Sequence, residues 1–390
     1  MRLATIISHP IQYYTPIFSA LAKECDLHVF YAQQVSPRQQ STAGFGVDFD
    51  WDIDLLAGHH YEFLQNKSAR PSLHHFWGSD TPEIEEKLLK GRFDAVMVVG
   101  WYLKSFMQAI WAAKRLRIPV MVRGDSHLSM PRSRIKTLAK ELAFPRFLRL
   151  FDSALYVGHH SRSYYRHYGY PEERLFFSPH CIDNDWFRSR ATPEARQNLR
   201  GRLGIGPDVT VLLFAGKLVP FKRPQDVIDA AAKCRAEGGR VEVMIAGSGE
   251  LEAELREQAA TLSVPLHLLG FRNQSEMPAA YAAADILVLP STGRETWGLV
   301  ANEAIACGRP VIVSNACGCA PDLAADARVG RIAAVGDSDG LAAAAMELTI
   351  RSPSSLDFSA KAARYSIEAA VHGILQACEF ATRAMGRHHV

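Results

Sequence analysis

Apolar residues in this chain fall into short unbroken runs, set apart by longer stretches with helical spacing. In the front half the runs are Leu3–Ser8, Leu27–Tyr31, Asp94–Val99, Pro119–Arg123, Ser153–Val157 and Arg174–Ser178. In the rear half they are Val209–Ala215, Val241–Ala246, Leu266–Gly270, Ile286–Leu289, Pro310–Val313 and Gly330–Ala334. Runs of this length with no polar alternation predict strands covered on both faces, as in parallel sheets. Helices are predicted through Phe18, Leu21 and Ala22, over Leu103–Leu116, Gln225–Arg235 and Met277–Ala284, and at about 338–349 and 357–384. Another opens at Gly298, places Leu299, Ala301, Ala304 and Ile305 on its apolar side, and is stopped by Gly308-Arg-Pro310. Strand and helix alternate through both halves, which predicts an α/β fold with parallel sheets.

A chain of 390 residues is long enough for two such domains, each burying its own core. Hydrophobic content of 48% with 22% charged residues fits an ordinary globular protein, and a net charge of +3 is too small to imply nucleic acid. No run approaches the roughly 18 apolar residues of a membrane span. The first strand breaks at His9-Pro10, unlike a signal peptide. Seven scattered cysteines suggest reduced thiols and a cytoplasmic setting. Cys317-Gly-Cys319 near Cys307 has the wrong spacing for zinc and reads as small buried thiols, so no metal is assigned.

The candidate chemistry centres on the loop after Ile286–Leu289. Free N–H groups at a helix start favour a phosphate, and Glu295 and Glu303 stand eight residues apart across that start. Read alone, the pair fits one extended ligand, or equally a helix-start charge and an exposed helix residue. Glu295-x7-Glu303, set between Pro290-Ser291 and Ala306-x-Gly308-x-Pro310-Val311, resembles the donor signature of family 4 retaining glycosyltransferases of the GT-B fold. That resemblance implies two Rossmann-like doubly wound domains facing a cleft. An acceptor-binding domain would span 1–187 and a nucleotide-sugar-binding domain 188–365, and a C-terminal helix in 366–390 would return to the first domain. The charged stretch 188–206 is taken as the end of the linker.

The resemblance also assigns roles. Glu303 would hold the ribose, Glu295 the transferred sugar, and the backbone of Thr296, Trp297, Gly298 and Leu299 the diphosphate. Lys217 and Lys222 would neutralise the leaving phosphates. Lys217 stands where the family usually has Arg, so it keeps the charge but loses the bidentate fork. Gly216, Gly247 and Gly249 would let backbone approach the donor, with Arg272 beside the base. His127 would face the sugar from across the cleft, with Arg123 and Asp125 as second candidates. His9, Gln12, Tyr13 and Tyr14 stand where the family often has glycines, and read as an acceptor pocket or as a proline-set turn packing on the core. A dinucleotide loop is not formed, because Glu252 occupies the third glycine position after Gly247 and Gly249.

The implied reaction is retaining transfer from a nucleoside-diphosphate sugar, UDP being the commonest, to a glycan, lipid-linked or small-molecule acceptor, without cofactor or metal. A nucleotide-sugar epimerase or phosphorylase on the same fold, a non-catalytic nucleotide-sugar-binding subunit, and an NAD oxidoreductase are the rivals. Two stretches stay outside this scheme. Residues 35–82 are irregular, and their Asp48, Asp50, Asp52 and Asp54 read as the solvated face of a short strand rather than as metal ligands. Residues 132–149 are basic (Arg132, Arg134, Lys136, Lys140, Arg146, Arg149) with Ile135, Leu138, Leu142 and Phe147 interleaved and Pro145 interrupting. Such a face can rest on anionic lipid at the inner membrane surface, or simply be solvated.

Overall fold

The computed structural model describes residues 1–35, 46–130, 133–350 and 358–386. Arg132 and positions 36–45 of the irregular 35–82 stretch therefore lie outside the described residues. The strands are β1 Arg2–Ile7, β2 Asp26–Tyr31, β3 His60–Phe63, β4 Ala95–Val99, β5 Val120–Gly124, β6 Ser153–Tyr156 and β7 Leu175–Phe177, followed by β8 Thr210–Ala215, β9 Val241–Ala246, β10 Leu266–Gly270, β11 Ile286–Leu289, β12 Val311–Ser314 and β13 Gly330–Ala333. They form a seven-stranded sheet in the order β3-β2-β1-β4-β5-β6-β7 and a six-stranded sheet in the order β10-β9-β8-β11-β12-β13. Every ladder is parallel, from Leu3 opposite Leu27 and Ala95 to Leu213 opposite Met244 and Leu287. In both sheets the strand order reverses beside the first strand, which opens a crevice at the carboxyl ends. The unbroken apolar runs are explained by burial on both faces: Leu3, Val96, Val122, Leu213 and Val288 are all 1% exposed or less.

β3 is a strand the hydrophobic pattern does not announce. It lies at the sheet edge and its residues are exposed or half-buried, so it carries no continuous apolar run. The Asp48–Asp54 stretch forms no strand at all; it runs irregularly to the second domain. The supposed linker is helical over Asn184–Arg190 and Pro193–Leu203. Its charges are structural: Arg196 and Arg200 both reach Asp285 at the foot of β11, at 2.6 and 2.5 Å. Pro145 does not interrupt its helix, which runs through it from Arg134 to Leu148. The cysteines are free, and Cys317 and Cys319 are fully buried.

The terminal helical region divides at Tyr365-Ser366 into Ser359–Arg364 and Ile367–Gly386. The second of these helices crosses back to the first sheet. Ala370, Ile374, Ala377 and Ala381 pack with Leu3, Ile7, Met97 and Leu155 in one core. The Ser178 and Ser153 hydroxyls donate to the Ala370 and Ala377 carbonyls at 3.1 Å each. Gly373 permits the contact, since a Cβ there would sit 1.8 Å from the Phe177 carbonyl oxygen.

Candidate active site

Three loops of the second sheet meet at its carboxyl edge. The loop after β8 is tied to the loop after β9 by Leu218 N–H donating to Ser248 O at 2.9 Å, and to the loop after β11 by Thr292 N–H donating to Phe221 O at 2.8 Å. The first contact demands glycine. Gly247 has φ +158°, and a Cβ on it would lie 1.8 Å from the Gly216 carbonyl oxygen. Gly249 meets Leu218 in the same way. Both glycines thus serve loop-to-loop packing, and Gly216 and Gly247 also line the cleft cavity.

At one end of this cleft is a charged group. The Lys222 ammonium pairs with the Glu295 carboxylate, and both side chains are mostly buried. Lys217 is close to both: burial lowers its affinity for a proton, Lys222's charge lowers it further, and Glu295 opposes the shift. Gly298, at φ +106°, starts the helix Leu299–Ala306, and no side chain caps the amides that follow. The positive φ of Gly298 is a conformation that L side chains rarely adopt, and a Cβ there would also lie 2.4 Å from Leu289 Cδ2. Two cations, one anion and an uncapped helix start therefore converge where a diphosphate could be held.

Beyond the charged group lies Glu303, only 4% exposed. The Tyr281 hydroxyl donates to one carboxylate oxygen at 2.5 Å, and the Tyr13 hydroxyl donates to the other at 2.9 Å from the opposite domain. Burial pushes the Glu303 carboxyl up to about 7, while the two hydroxyls pull it down. A carboxylate offers about four acceptor positions. With two taken, it can still accept from a pair of vicinal hydroxyls. Gln12, Tyr13, Gly216, Gly247, Arg272 and Glu303 line one cavity of about 110 Å³.

Several expected residues stand elsewhere. Tyr13 does not face a separate acceptor pocket, because its hydroxyl is committed to Glu303. Tyr14 is not free for an acceptor either: its hydroxyl receives a hydrogen bond from Arg123. Arg123 is 1% exposed and also donates to Ser178 O at 3.1 Å and Pro179 O at 2.8 Å, so it braces the domain exit rather than a ligand. His127 is 1% exposed, its ring 6.0 Å from that of His160. The Trp297 side chain is 3% exposed and donates to Asn302 Oδ1 at 2.8 Å, leaving only its backbone available. His9 is held neutral, since burial lowers its imidazole to about 4, and it shares a 2.9 Å hydrogen bond with Ser8. Asp125 faces His180 at 3.7 Å. Burial would raise its carboxyl, but the bonds and charge of His180 and a bond from Thr296 hold it down near 2. Arg272 lies in the cleft wall with one guanidinium nitrogen on Glu276 at 2.6 Å.

The cavity also contains Trp51, Phe187, Phe271, Gln274, Met277 and Val300, which motif reasoning passes over. Phe271 and Gln274 flank Arg272 in sequence and could have been found from it. Trp51 carries no local signal.

Residues 195–365 match the family model described as glycosyl transferases group 1. The chain is similar to a D-inositol 3-phosphate glycosyltransferase of Geodermatophilus obscurus, 31% identical over 55% of this chain and 49% of that protein. It is also similar to a GDP-mannose-dependent monoacylated alpha-(1-6)-phosphatidylinositol monomannoside mannosyltransferase of Corynebacterium glutamicum, 34% identical over 40% of this chain and 42% of that one. The chain thus spans about half the length of the first of these relatives, or less of the other. Among solved structures, Anabaena HepE in complex with UDP superposes with a TM-score of 0.72 at 20% identity, over 96% of this chain and 99% of that one. At this identity the likeness is one of fold.

Proposed function

We propose, from a second domain that belongs to the glycosyl transferases group 1 on a GT-B frame, that this protein is a glycosyltransferase using a nucleoside-diphosphate sugar and retaining the anomeric configuration. The observation that carries the reading is the convergence of Lys217, Lys222, Glu295 and the uncapped start of Leu299–Ala306 on one end of a cleft whose other end holds Glu303. Departure of a nucleoside diphosphate leaves negative charge on its terminal phosphate, and fixed cations with helix-start amides stabilise that charge. In the resting arrangement Lys222 is neutralised by Glu295. An arriving diphosphate would compete for the lysine and free Glu295 to orient the sugar. Among the described residues the reading assigns no side chain to nucleophilic attack, Glu295 being taken to orient the sugar. The reading therefore has the acceptor hydroxyl attack from the face the phosphate leaves, with that phosphate taking its proton. Lysines can fill the charge-neutralising role of a divalent ion, so we expect no metal requirement.

UDP is the expected carrier; the Corynebacterium relative is named for GDP-mannose, and a donor screen decides between the bases. Two relatives are named for inositol phosphate or phosphatidylinositol-mannoside chemistry, which favours a polyol or lipid-linked hydroxyl as acceptor. The helix Arg134–Leu148 agrees with a lipid-linked one. Ile135, Leu138 and Leu142 follow one face at 82%, 64% and 65% exposure, flanked by exposed Arg134, Lys136 and Arg146, a pattern that suits peripheral contact with anionic lipid. Among the described residues no helix is long and apolar enough to cross a membrane. An epimerase would convert a UDP-sugar with no acceptor present. Incubating the protein with UDP-, GDP-, ADP- and dTDP-sugars, with and without inositol phosphate or lipid acceptors and with EDTA throughout, tests the reading. Acceptor-dependent release of the nucleoside diphosphate is expected, and its absence under every pairing would refute it.

A further inference from the structure

The irregular stretch between β2 and β3 reaches the opposite domain. Asn273 Nδ2 donates to the Asp50 carbonyl at 2.7 Å, and Asp52 N–H returns a bond to Asn273 Oδ1 at 3.4 Å. Ser275 N–H donates to the Asp52 carboxylate at 3.1 Å, joined by the Ser275 hydroxyl. The ring of Phe49 lies over that of Phe271 at 4.3 Å and meets the ring of Trp51 edge-on at 5.1 Å. Residues 46–54 of the first domain thus form a strap across the loop after β10, and Trp51 projects from it into the cavity wall beside Phe271 and Arg272.

Two polar atoms on the same wall are unspent. Arg272 Nε, a donor, and Gln274 Oε1, an acceptor, are buried without hydrogen-bond partners among the described residues. Buried polar atoms are ordinarily paired, and an orphaned donor and acceptor within one short loop point to a ligand that satisfies both. Two aromatic rings beside a donor and an acceptor describe a site for a flat heterocycle carrying both kinds of group on its edge. Its place fits. On the proposed reading the phosphates lie toward Lys222 and the ribose at Glu303, and Trp51, Phe271, Arg272 and Gln274 share one cavity with Glu303.

We propose that the 46–54 strap is a clamp on the donor's base. Trp51 stacks on the heterocycle, Arg272 and Gln274 meet its edge, and Asp52 positions the strap through Ser275. Because Trp51 comes from the first domain and its counterparts from the second, recognition of the base and approach of the two domains are one event. This rests on the reading of the cleft as a nucleotide-sugar site.

The test is calorimetric titration of the full chain with UDP and with inorganic pyrophosphate, which lacks the base. Trp51→Ala is expected to weaken UDP by ~10-fold or more, the usual effect of removing a stacked ring, and to leave pyrophosphate unchanged. Trp51→Phe should restore most of the affinity. Asp52→Ala leaves the ring in place but frees the strap. It should weaken UDP a few-fold and reduce the UDP-induced change in tryptophan fluorescence, again without moving pyrophosphate. UDP affinity equal to wild type in Trp51→Ala overturns the clamp alone, as does equal weakening of UDP and pyrophosphate. Failure of the wild type to bind any nucleoside diphosphate overturns the nucleotide-sugar reading and the clamp with it.

Discussion

Ionising Glu303 inside the fold is uphill, and that cost can be isolated by one substitution. The carboxyl titrates near 7 in the folded protein against an ordinary 4.5, burial outweighing the two tyrosine hydroxyls that favour its charge. Between these two values the folded state binds more protons than the unfolded chain, so stability falls as pH rises through that window and levels off above the folded value. At ~1.4 kcal/mol for each tenfold, the penalty reaches about 3 kcal/mol above pH 7. Glu303→Gln preserves the shape and stays neutral, so the penalty disappears. Urea unfolding of both proteins at pH 5 and pH 8 gives the comparison. Other titrating groups cancel in the difference, and the wild type should lose roughly 2–3 kcal/mol more than the variant between the two pH values, since pH 5 already lies inside the window. Parallel losses would show that Glu303 ionises freely, and the argument from its burial would fail. The same substitution should weaken UDP, because an amide carries no charge to strengthen bonds from ribose hydroxyls.

The other expectations follow from single contacts. Lys222→Ala removes a fixed cation from the leaving-group end and should lower turnover per folded molecule by ~100-fold or more; it also leaves the mostly buried Glu295 without its partner, so the melting temperature should fall as well, and turnover like wild type would contradict the assignment. Gly247→Ala forces a methyl group against the Gly216 carbonyl and should cost ~3 kcal/mol or more in unfolding experiments, whereas a neutral outcome would mean the two loops part readily. Asp285→Ala leaves Arg196 and Arg200 facing each other without their carboxylate, with an expected loss of ~3–5 kcal/mol. Leu138→Glu combined with Leu142→Glu should abolish co-sedimentation with vesicles containing anionic lipid and spare transfer to a soluble acceptor; unchanged sedimentation would remove this helix from any membrane role.

Legibility in the sequence followed the range of the interactions involved. Strands such as β1, β4, β8 and β11 could be read directly, because burial on two faces leaves an unbroken apolar run that needs no knowledge of partners. Gly298 and Gly308 bounded their helix for the equally local reason that backbone turns demand glycine. What escaped depends on residues far along the chain. Arg196 and Arg200 looked like linker charges because Asp285, which they grip, lies 89 and 85 residues away. Asp52 looked solvated because Ser275 is 223 residues distant. Tyr13 was placed with the acceptor because its partner, Glu303, is 290 residues on and belongs to the other domain. The edge strand β3 was missed for a different reason: an element with one side open has no need of a hydrophobic run.

The helix Ile367–Gly386 sets a constraint on biogenesis. It covers Leu3, Ile7, Met97 and Leu155, residues that leave the ribosome long before it does. Throughout the synthesis of the second half, the part of that face not covered by Ile17, Phe18 and Leu21 stays exposed, which favours sticking to neighbours and engagement by a chaperone. Cutting the gene between the two sheets should therefore yield an insoluble front fragment, whereas supplying Ile367–Gly386 as a separate peptide offers the natural means of rescuing it.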